Sequence, residues 1–178
     1  MKRLKLKEYI IYAAMILGGV ALDQLTKIIA TKYLEPIGTV EIIKGLVDLT
    51  YHTNDGMAFG MLGGHRWIFM SVSTIMIAAL GYLLFSGRLE TRLHKVSCAM
   101  IISGGIGNMI DRVAFGEVVD FIDFSDIGFS AIFNVADSIV CIGAGILVLA
   151  LILDIVRESK KKKEKAPTEE DGASGDAK

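Results

Sequence analysis

Four long apolar stretches constrain the fold of this chain more than any other feature of its sequence. They run over about Tyr9 to Ile29, Trp67 to Phe85, Val96 to Ile110 and Val135 to Val156. A helix needs about 20 apolar residues to cross a hydrocarbon core, and only the third stretch is clearly shorter, so we expect its ends to extend into polar residues. Apolar residues make up 52% of the 178 residues and charged residues only 22%, a poor match to a soluble domain. The sequence predicts a mostly α-helical membrane protein with four transmembrane helices.

The basic residues indicate how these helices are oriented. Of the 19 Lys and Arg residues, 14 lie before the first stretch, between the second and third, or after the fourth. The positive-inside rule therefore predicts that both termini are cytoplasmic. A cleaved signal peptide is the alternative for the N-terminus, but there is no convincing small-x-small cleavage site, and cleavage would place the Lys-rich tail outside. We expect the first stretch to remain as a helix.

The chain divides into a transmembrane domain and a tail. Residues 1–156 form the predicted transmembrane catalytic domain, within which about 36–62 form an extracytoplasmic β element and loop. Thr39 to Ile43 and Leu46 to Thr53 are strand-like, with turn signals at Gly45 and at the Asn54 to Gly56 step. Residues 157–178 are a Lys-rich cytoplasmic tail, which we expect to be disordered. Its basic run Lys160 to Lys163 is typical of an anchor that faces anionic lipid.

Polar residues from distant parts of the chain converge on one layer near the outer membrane boundary. At about 1.5 Å of rise per residue, Asp23 lies in the outer third of the first span. The other members of this layer close the third span, open the fourth or lie between them: Asn108, Asp111, Arg112, Asp120, Asn134 and Asp137. Ionisable groups in a membrane usually face a bundle interior or a cavity, although groups near an interface can also reach water directly. Asn134 and Asp137 can also be explained as capping residues of the fourth helix.

Several other classes of site are excluded. Cys98 and Cys141 lie within apolar stretches, which leaves no disulfide framework and no zinc ligand set. His52 and His65 are predicted outside and His94 inside, so the three histidines do not form a metal site. The net charge of -1 does not support a nucleic-acid binder. We expect no metal, no organic cofactor and no nucleic-acid partner.

Five local motifs identify a family that the chain resembles. They are LDQLTK at Leu22 to Lys27, NDGMAFG at Asn54 to Gly60, GNMIDR at Gly107 to Arg112, VVDFID at Val118 to Asp123, and FNVADS at Phe133 to Ser138. This set, in this order and on four spans, resembles the lipoprotein signal peptidase family, also called signal peptidase II. The resemblance covers nearly all of the chain up to about Val156.

The resemblance implies an aspartyl endopeptidase of the bacterial inner membrane. Such enzymes remove the signal peptide of a prolipoprotein just before a cysteine that carries a diacylglyceryl group. The implied catalytic pair is Asp120 and Asp137. The implied supporting and substrate-contacting residues are Asp23, Asn54, Gly56, Ala58, Phe59, Gly104, Asn108, Arg112, Asn134 and Ala136. The implied partners are the lipidated substrate and membrane lipid; we expect a monomer with its active site at the outer-leaflet boundary.

Peptide hydrolysis by two carboxylates is chemically reasonable without a metal. Two nearby carboxylates cannot both ionise easily, so one holds a proton as the acid while the other acts as the base. The sequence leaves open which aspartate is protonated. Asp123 is an alternative member of the pair, although a role as a solvated loop residue is favoured. The segment from Asn54 to Gly60 is a hypothetical lid over the pair.

Two nearby charged residues are expected to have structural partners. Asp111 is interpreted as one half of an ion pair. Arg112 near lipid needs an anion, and we expect Asp23, a site carboxylate or a lipid phosphate to supply it.

The residues favour two other functions less. A small ion-coupled transporter needs carboxylates along a path through the bilayer, but Asp154 is the only acid near the inner end of a span. A four-helix thiol oxidase needs paired external cysteines, and Cys98 and Cys141 lie near opposite faces.

Overall fold

The computed structural model describes residues 5–55 and 66–165. The described chain contains four α-helices and four β-strands. The helices are α1 (Leu6–Ile29), α2 (Arg66–Phe85), α3 (Arg92–Ala114) and α4 (Val135–Lys165). The strands are β1 (Thr39–Ile43), β2 (Val47–Asn54), β3 (Val118–Phe124) and β4 (Phe129–Phe133). The prediction of a mostly helical fold with a small β element is confirmed.

The helices extend beyond the apolar stretches that predicted them. α1 continues as a π-helical segment over Ala30–Leu34. α3 extends into polar residues at both ends, as expected, and the Thr91 hydroxyl accepts a hydrogen bond from the His94 backbone N–H at 3.3 Å. α4 continues through Lys165. The first part of the segment predicted as a disordered tail is therefore helical, because the amphiphilic Lys-rich run can extend an apolar helix that is already formed.

The number of membrane crossings remains a prediction. Over the ranges that the structure describes, two helical segments are long and apolar enough to span a membrane, Leu6–Leu34 and Val135–Lys162. Met70–Phe85 is a shorter apolar helix. α3 is less apolar because it contains more polar residues. Several of these, such as Ser97, Ser103 and Asp111, are buried against neighbouring elements. Its polar groups are thus hidden within the bundle rather than facing outward.

α3 lies at the centre of the bundle and contacts each of the other three helices. Its contact with α4 depends on small residues, which let two helix backbones approach closely. A Cβ atom added at Gly104 would overlap the carbonyl oxygen of Ala136 and would lie 2.6 Å from Val140 Cγ2. Gly104, which is expected in the supporting shell, therefore allows α4 to pack directly on α3.

The four strands form one antiparallel sheet in the order β1-β2-β3-β4. β1 and β2 match the strand-like runs of the sequence, whereas β3 and β4 were predicted only as a short connection. Phe121 of β3 packs against Ala30 and Leu34, so the π-helical end of α1 supports the sheet. β4 leads through a single residue into α4. The sheet therefore fixes the position of the first turn of α4.

We predict that Gly104→Ala destabilises the fold. Alanine is favoured over glycine in a helix by about 1 kcal/mol, but overpacking a tight contact costs about 1–3 kcal/mol. The measurement is thermal unfolding in detergent, followed by circular dichroism.

Gly145→Ala on α4 is the matched control, because a Cβ added there has nothing within 4 Å. We expect its Tm to equal or exceed that of the wild type. A Gly104→Ala protein as stable as Gly145→Ala would contradict the proposed tight contact between α3 and α4.

Candidate active site

Asp120 lies in the middle of β3 and is buried, with 2% of its surface exposed. Its Oδ1 accepts a hydrogen bond from Asn134 Nδ2 at 2.7 Å, and its Oδ2 accepts one from Asn54 Nδ2 at 2.9 Å. Both carboxylate oxygens therefore face amide donors from other elements. β2 supplies one donor, and the β4–α4 junction supplies the other.

Asp137 lies in the first turn of α4, where it forms a reciprocal cap with Asn134. Asn134 Oδ1 accepts from the Asp137 backbone N–H at 2.8 Å, and Asp137 Oδ2 accepts from the Asn134 backbone N–H at 3.3 Å. The predicted capping role of both residues is confirmed. The cap also orients both side chains, because Asn134 Nδ2 reaches Asp120 while Asp137 Oδ1 accepts from Asn108 Nδ2 at 2.7 Å. Helix capping and assembly of the site therefore use the same arrangement.

Asparagine side chains join the two aspartates into one bonded group. The chain has only three asparagines, and all of them donate to Asp120 or Asp137: Asn54, Asn108 and Asn134. Asn134 Nδ2 also donates to Asn108 Oδ1 at 3.0 Å. A continuous path of hydrogen bonds therefore runs from Asp120 through Asn134 and Asn108 to Asp137.

The environment of Asp120 favours retention of a proton. Burial raises the pKa of Asp120, the hydrogen bond from Asn54 opposes that rise, and the negative charge of Asp137 adds to it. The result is a pKa of about 6, against 3.8 for an ordinary aspartate. One carboxyl of the pair can thus be neutral under conditions in which an exposed aspartate is charged.

Asp23 connects α1 to the start of α4. It is fully buried, and its Oδ1 accepts from the Ala136 backbone N–H at 2.9 Å. That N–H belongs to the first turn of α4 and has no partner within its own helix. Gly107 of α3 leaves room for Asp23, because an added Cβ there would lie 2.5 Å from Asp23 Oδ2. Asp23 and Ala136, both expected in the supporting shell, therefore contact each other.

Lys27 lies beside the candidate site, although the sequence analysis assigns it no role there. It was counted only as an external basic residue, but it is buried, and its ammonium contacts Asp23 Oδ2 at 2.9 Å and Asp111 Oδ2 at 2.7 Å. It also donates to Asn108 Oδ1 at 2.9 Å. The signal was present, because Asp23 and Lys27 are four residues apart on one helix and therefore share a face. Gln24 was missed as well; its Nε2 donates to Asp111 Oδ1 at 2.8 Å.

The expected partners of Arg112 are partly corrected. Asp23 pairs with Lys27 instead, and Asp111 also takes Lys27 as its ion-pair partner. Arg112 Nη1 donates to the Asn108 backbone carbonyl at 3.4 Å. The guanidinium lies close enough to Asp137 and Asp120 for their charges to act on it. Of the anions expected for Arg112, the site carboxylates are the ones that lie nearby.

Asp123 does not join Asp120. Side chains alternate between the two faces of a strand, so residues three apart point to opposite faces. Asp123 Oδ1 accepts from the Ser125 backbone N–H at 2.8 Å and also from the Ser125 hydroxyl. Burial raises the pKa of Asp123, but hydrogen bonds from Ser125 outweigh this effect and leave it below the ordinary value. Asp123 thus stabilises the turn that follows β3.

Some expected site residues lie outside the described part of the chain. These are Gly56, Ala58 and Phe59, together with most of the hypothetical lid. In the ranges 5–55 and 66–165, there is no group of three or more His, Cys, Asp or Glu residues that could hold a metal ion. The arrangement that is described is a pair of carboxylates in an amide frame.

Comparisons with known proteins give a consistent result. The model of the signal peptidase (SPase) II family matches residues 15–153. The lipoprotein signal peptidase of Caldanaerobacter subterraneus subsp. tengcongensis is 47% identical over 133 residues, which cover 75% of this chain and 90% of the relative. That of Bacillus subtilis is 37% identical over 155 residues, which cover 86% of this chain and 99% of the relative.

The fold is similar to that of solved membrane proteins. A bacterial membrane enzyme solved by the in meso method at 2.3 Å resolution has a TM-score of 0.75 and 33% identity. The match covers 88% of this chain and 94% of that enzyme. A second, solved at 1.9 Å resolution, has a TM-score of 0.70 and 34% identity, with 79% and 91% covered.

We predict that the Asp120 carboxyl titrates with a pKa of about 6. Asn54→Ala is expected to raise this pKa further, because it removes a hydrogen bond that favours the charged form. The measurement is carbon NMR of protein labelled at the aspartate carboxyl carbon, with the signal assigned by its loss in Asp120→Asn. Thr53→Ala, one position earlier on β2, is the control and should leave the midpoint unchanged. A midpoint near 3.8 in the wild type would contradict the buried environment of Asp120.

Proposed function

The chain belongs to the signal peptidase II family and cleaves the signal peptides of prolipoproteins, and we propose that Asp120 and Asp137 carry out this cleavage as an aspartyl pair. One observation carries the proposal: both aspartates are held by the three asparagines of the chain in one hydrogen-bonded frame. Buried carboxylates are costly unless they are bonded in this way. The frame therefore keeps two acidic groups in place for chemistry.

We assign the base role to Asp137 and the acid role to Asp120. Asp137 lies at the N-terminus of α4, where a negative charge interacts favourably with the helix dipole. The raised pKa of Asp120 supports its role as the proton holder. In the reaction, Asp137 takes a proton from water, whose oxygen attacks the scissile carbonyl while the Asp120 proton polarises the carbonyl oxygen. The C–N bond then breaks as the leaving nitrogen takes the proton that Asp137 received from water, which regenerates the Asp137 carboxylate.

The proposed substrate carries a diacylglyceryl group on the cysteine that follows the scissile bond. Pulling its acyl chains into water would cost about 0.8 kcal/mol per CH₂, so the site must lie where the chains can stay in hydrocarbon. α3 offers an apolar groove of about 340 Å³ lined by Ile106, Met109, Ile110, Val113 and Ala114. The groove lies at the same level of α3 as Asn108 and Arg112 but on the opposite face of the helix, because positions 106, 109, 110 and 113 share one face. An apolar groove at this level supports a substrate whose acyl chains stay in hydrocarbon beside the bundle.

The proposed topology has four crossings, cytoplasmic termini and the active site at the outer-leaflet boundary. The uneven placement of the basic residues supports it. The large apolar side chains exposed on the helices, such as Leu17 and Leu25 on α1 and Leu151 and Ile155 on α4, support a lipid environment. The sheet and the aspartyl pair then lie on the side opposite the Lys-rich end of α4.

An ion-coupled transporter is not favoured. A transport path needs polar groups across the bilayer. No charged residue lies between Glu8 and Asp23 on α1, between Lys95 and Asp111 on α3, or between Asp137 and Asp154 on α4. The charges form separate layers at the two ends of the bundle.

We predict that Asp120→Asn and Asp137→Asn each reduce cleavage at least about 100-fold, since general acid–base catalysis contributes about 10²–10⁴-fold. The substrate is a purified diacylglyceryl-modified prolipoprotein, and the products are identified by mass spectrometry. Asp126→Asn, which changes an exposed aspartate in the turn after β3, is the matched control and should cleave normally. Near-normal cleavage by either site variant, with the fold retained, would show that the pair is wrongly assigned.

The topology predicts different labelling of two cysteine variants in a chain whose Cys98 and Cys141 have been replaced by alanine. A membrane-impermeant maleimide should label Thr39→Cys in intact cells because β1 faces outward. It should label Ser159→Cys only after lysis, because the end of α4 is cytoplasmic. Labelling of Ser159→Cys in intact cells would reverse the orientation.

A further inference from the structure

Lys27 connects a group of structural ion pairs to the amide frame of the aspartates. Its ammonium has three hydrogens and three oxygen partners at 2.7–2.9 Å: Asp23 Oδ2, Asp111 Oδ2 and Asn108 Oδ1. Only 4% of the Lys27 surface is exposed. Two carboxylates compensate the charge of the buried lysine. Its third hydrogen also needs an acceptor, and the acceptor here is the amide that bonds Asp137.

The contact with Lys27 determines which way the Asn108 amide points. Asn108 Oδ1 accepts from Lys27 Nζ and from Asn134 Nδ2, while Asn108 Nδ2 donates to Asp137 Oδ1. Rotating this amide by half a turn would place its N–H groups against the ammonium and its oxygen against the carboxylate of Asp137. Both contacts would be repulsive. Lys27 thus selects the one orientation in which Asn108 donates to Asp137.

We propose that Lys27 is a positioning residue for the cleavage reaction, which holds the Asn108 amide so that its Nδ2 remains directed at Asp137. Lys27 touches neither aspartate of the pair through a described hydrogen bond and acts through Asn108. The inference rests on the proposed function, because it assigns Lys27 a role at the same aspartyl pair. A purely structural lysine would need a third acceptor, but not one that itself bonds the aspartyl pair.

The charge of Lys27 gives the proposal a pH-dependent readout. The charged groups that act on the pair are Lys27 from α1, Arg112 from α3 and the two aspartates themselves. Asp23 and Asp111 are the ion-pair partners of the Lys27 ammonium. The positive charge of Lys27 lowers the pKa of Asp120. Its removal should therefore raise that pKa. If Asp120 supplies the proton, the alkaline limb of kcat/KM then moves to higher pH.

The test compares the double variant Lys27→Met/Asp111→Asn with Asp111→Asn alone. The single change Lys27→Met would leave two buried carboxylates without a cation and risks unfolding. Removing Asp111 as well leaves Asp23 with its bonds from Ala136 and Gln24. We expect the double variant to lose about 10- to 100-fold in kcat, the range that misplaced catalytic groups produce, with KM little changed. Its alkaline limb should lie at higher pH than that of Asp111→Asn.

A second readout does not depend on activity. Because the chain has three asparagines, protein labelled with ¹⁵N-asparagine gives three pairs of side-chain amide signals. In the double variant the Asn108 pair should shift relative to Asp111→Asn, while three resolved pairs show that the fold is kept. Lys32→Met, which removes an exposed cation from the end of the first helix, is the control and should change neither the kinetics nor the Asn108 signals.

Two results would overturn the proposal. If the double variant matches Asp111→Asn in kcat, alkaline limb and amide signals, Lys27 serves only the fold. If kcat falls while the Asn108 signals stay in place, the effect does not pass through that amide. Failure of the aspartyl assignment would be seen separately, as cleavage by Asp120→Asn, and would not affect the amide signals.

Discussion

The need to compensate charge inside an apolar bundle governs the arrangement of this protein. Asp23, Lys27, Asp111 and Asp120 are all nearly or fully buried. Unpaired charges in such surroundings cost several kcal/mol, so each must meet a partner from another element. α1 supplies the cation, α3 supplies an acid and an amide, and α4 supplies backbone N–H groups at its first turn. The ion pairs between α1 and α3, together with the hydrogen bond that Ala136 of α4 donates to Asp23, therefore fix the side chains next to the aspartyl pair.

The hydrogen bonds of the site are shared with the fold. The Asn134–Asp137 cap would be needed to begin α4 in any case, and Asp23 would be needed to satisfy Ala136. Asp120 is positioned by the pairing of β3 with β2 and β4. The sheet consequently has a direct role, since it brings a carboxylate to the end of a helical bundle. A helix alone could not place Asp120 and Asp137 on either side of the Asn134 side chain.

The parts that could be predicted from the sequence are those with a strong local signal. Long apolar runs gave the positions of the helices, and alternation with turn residues gave β1 and β2. Motif spacing and capping chemistry gave Asp137 and Asn134. β3 and β4 are not predicted because β3 pairs with β2, which comes from a distant part of the chain, and no local turn signal marks that pairing. Lys27 was missed because a basic residue near a span end usually reaches water, and only the packing of α1 on α3 turns it inward. Asp120 and Asp123 lie on opposite faces of β3. This could not be predicted from the sequence alone, because the segment first had to be recognised as a strand.

The Asn134 side chain has consequences for how such a protein can evolve. Its oxygen accepts from the Asp137 backbone, and its two amide hydrogens are directed at Asp120 and Asn108. Aspartate has the same shape but no hydrogens to offer, glutamine is one carbon too long, and serine offers a single hydrogen. Substitution of Asn134 is therefore limited by the need for one acceptor and two donor hydrogens on a side chain of this length. A compound that bound through these same amide contacts would therefore contact a residue that few substitutions could replace without loss of the hydrogen bonds.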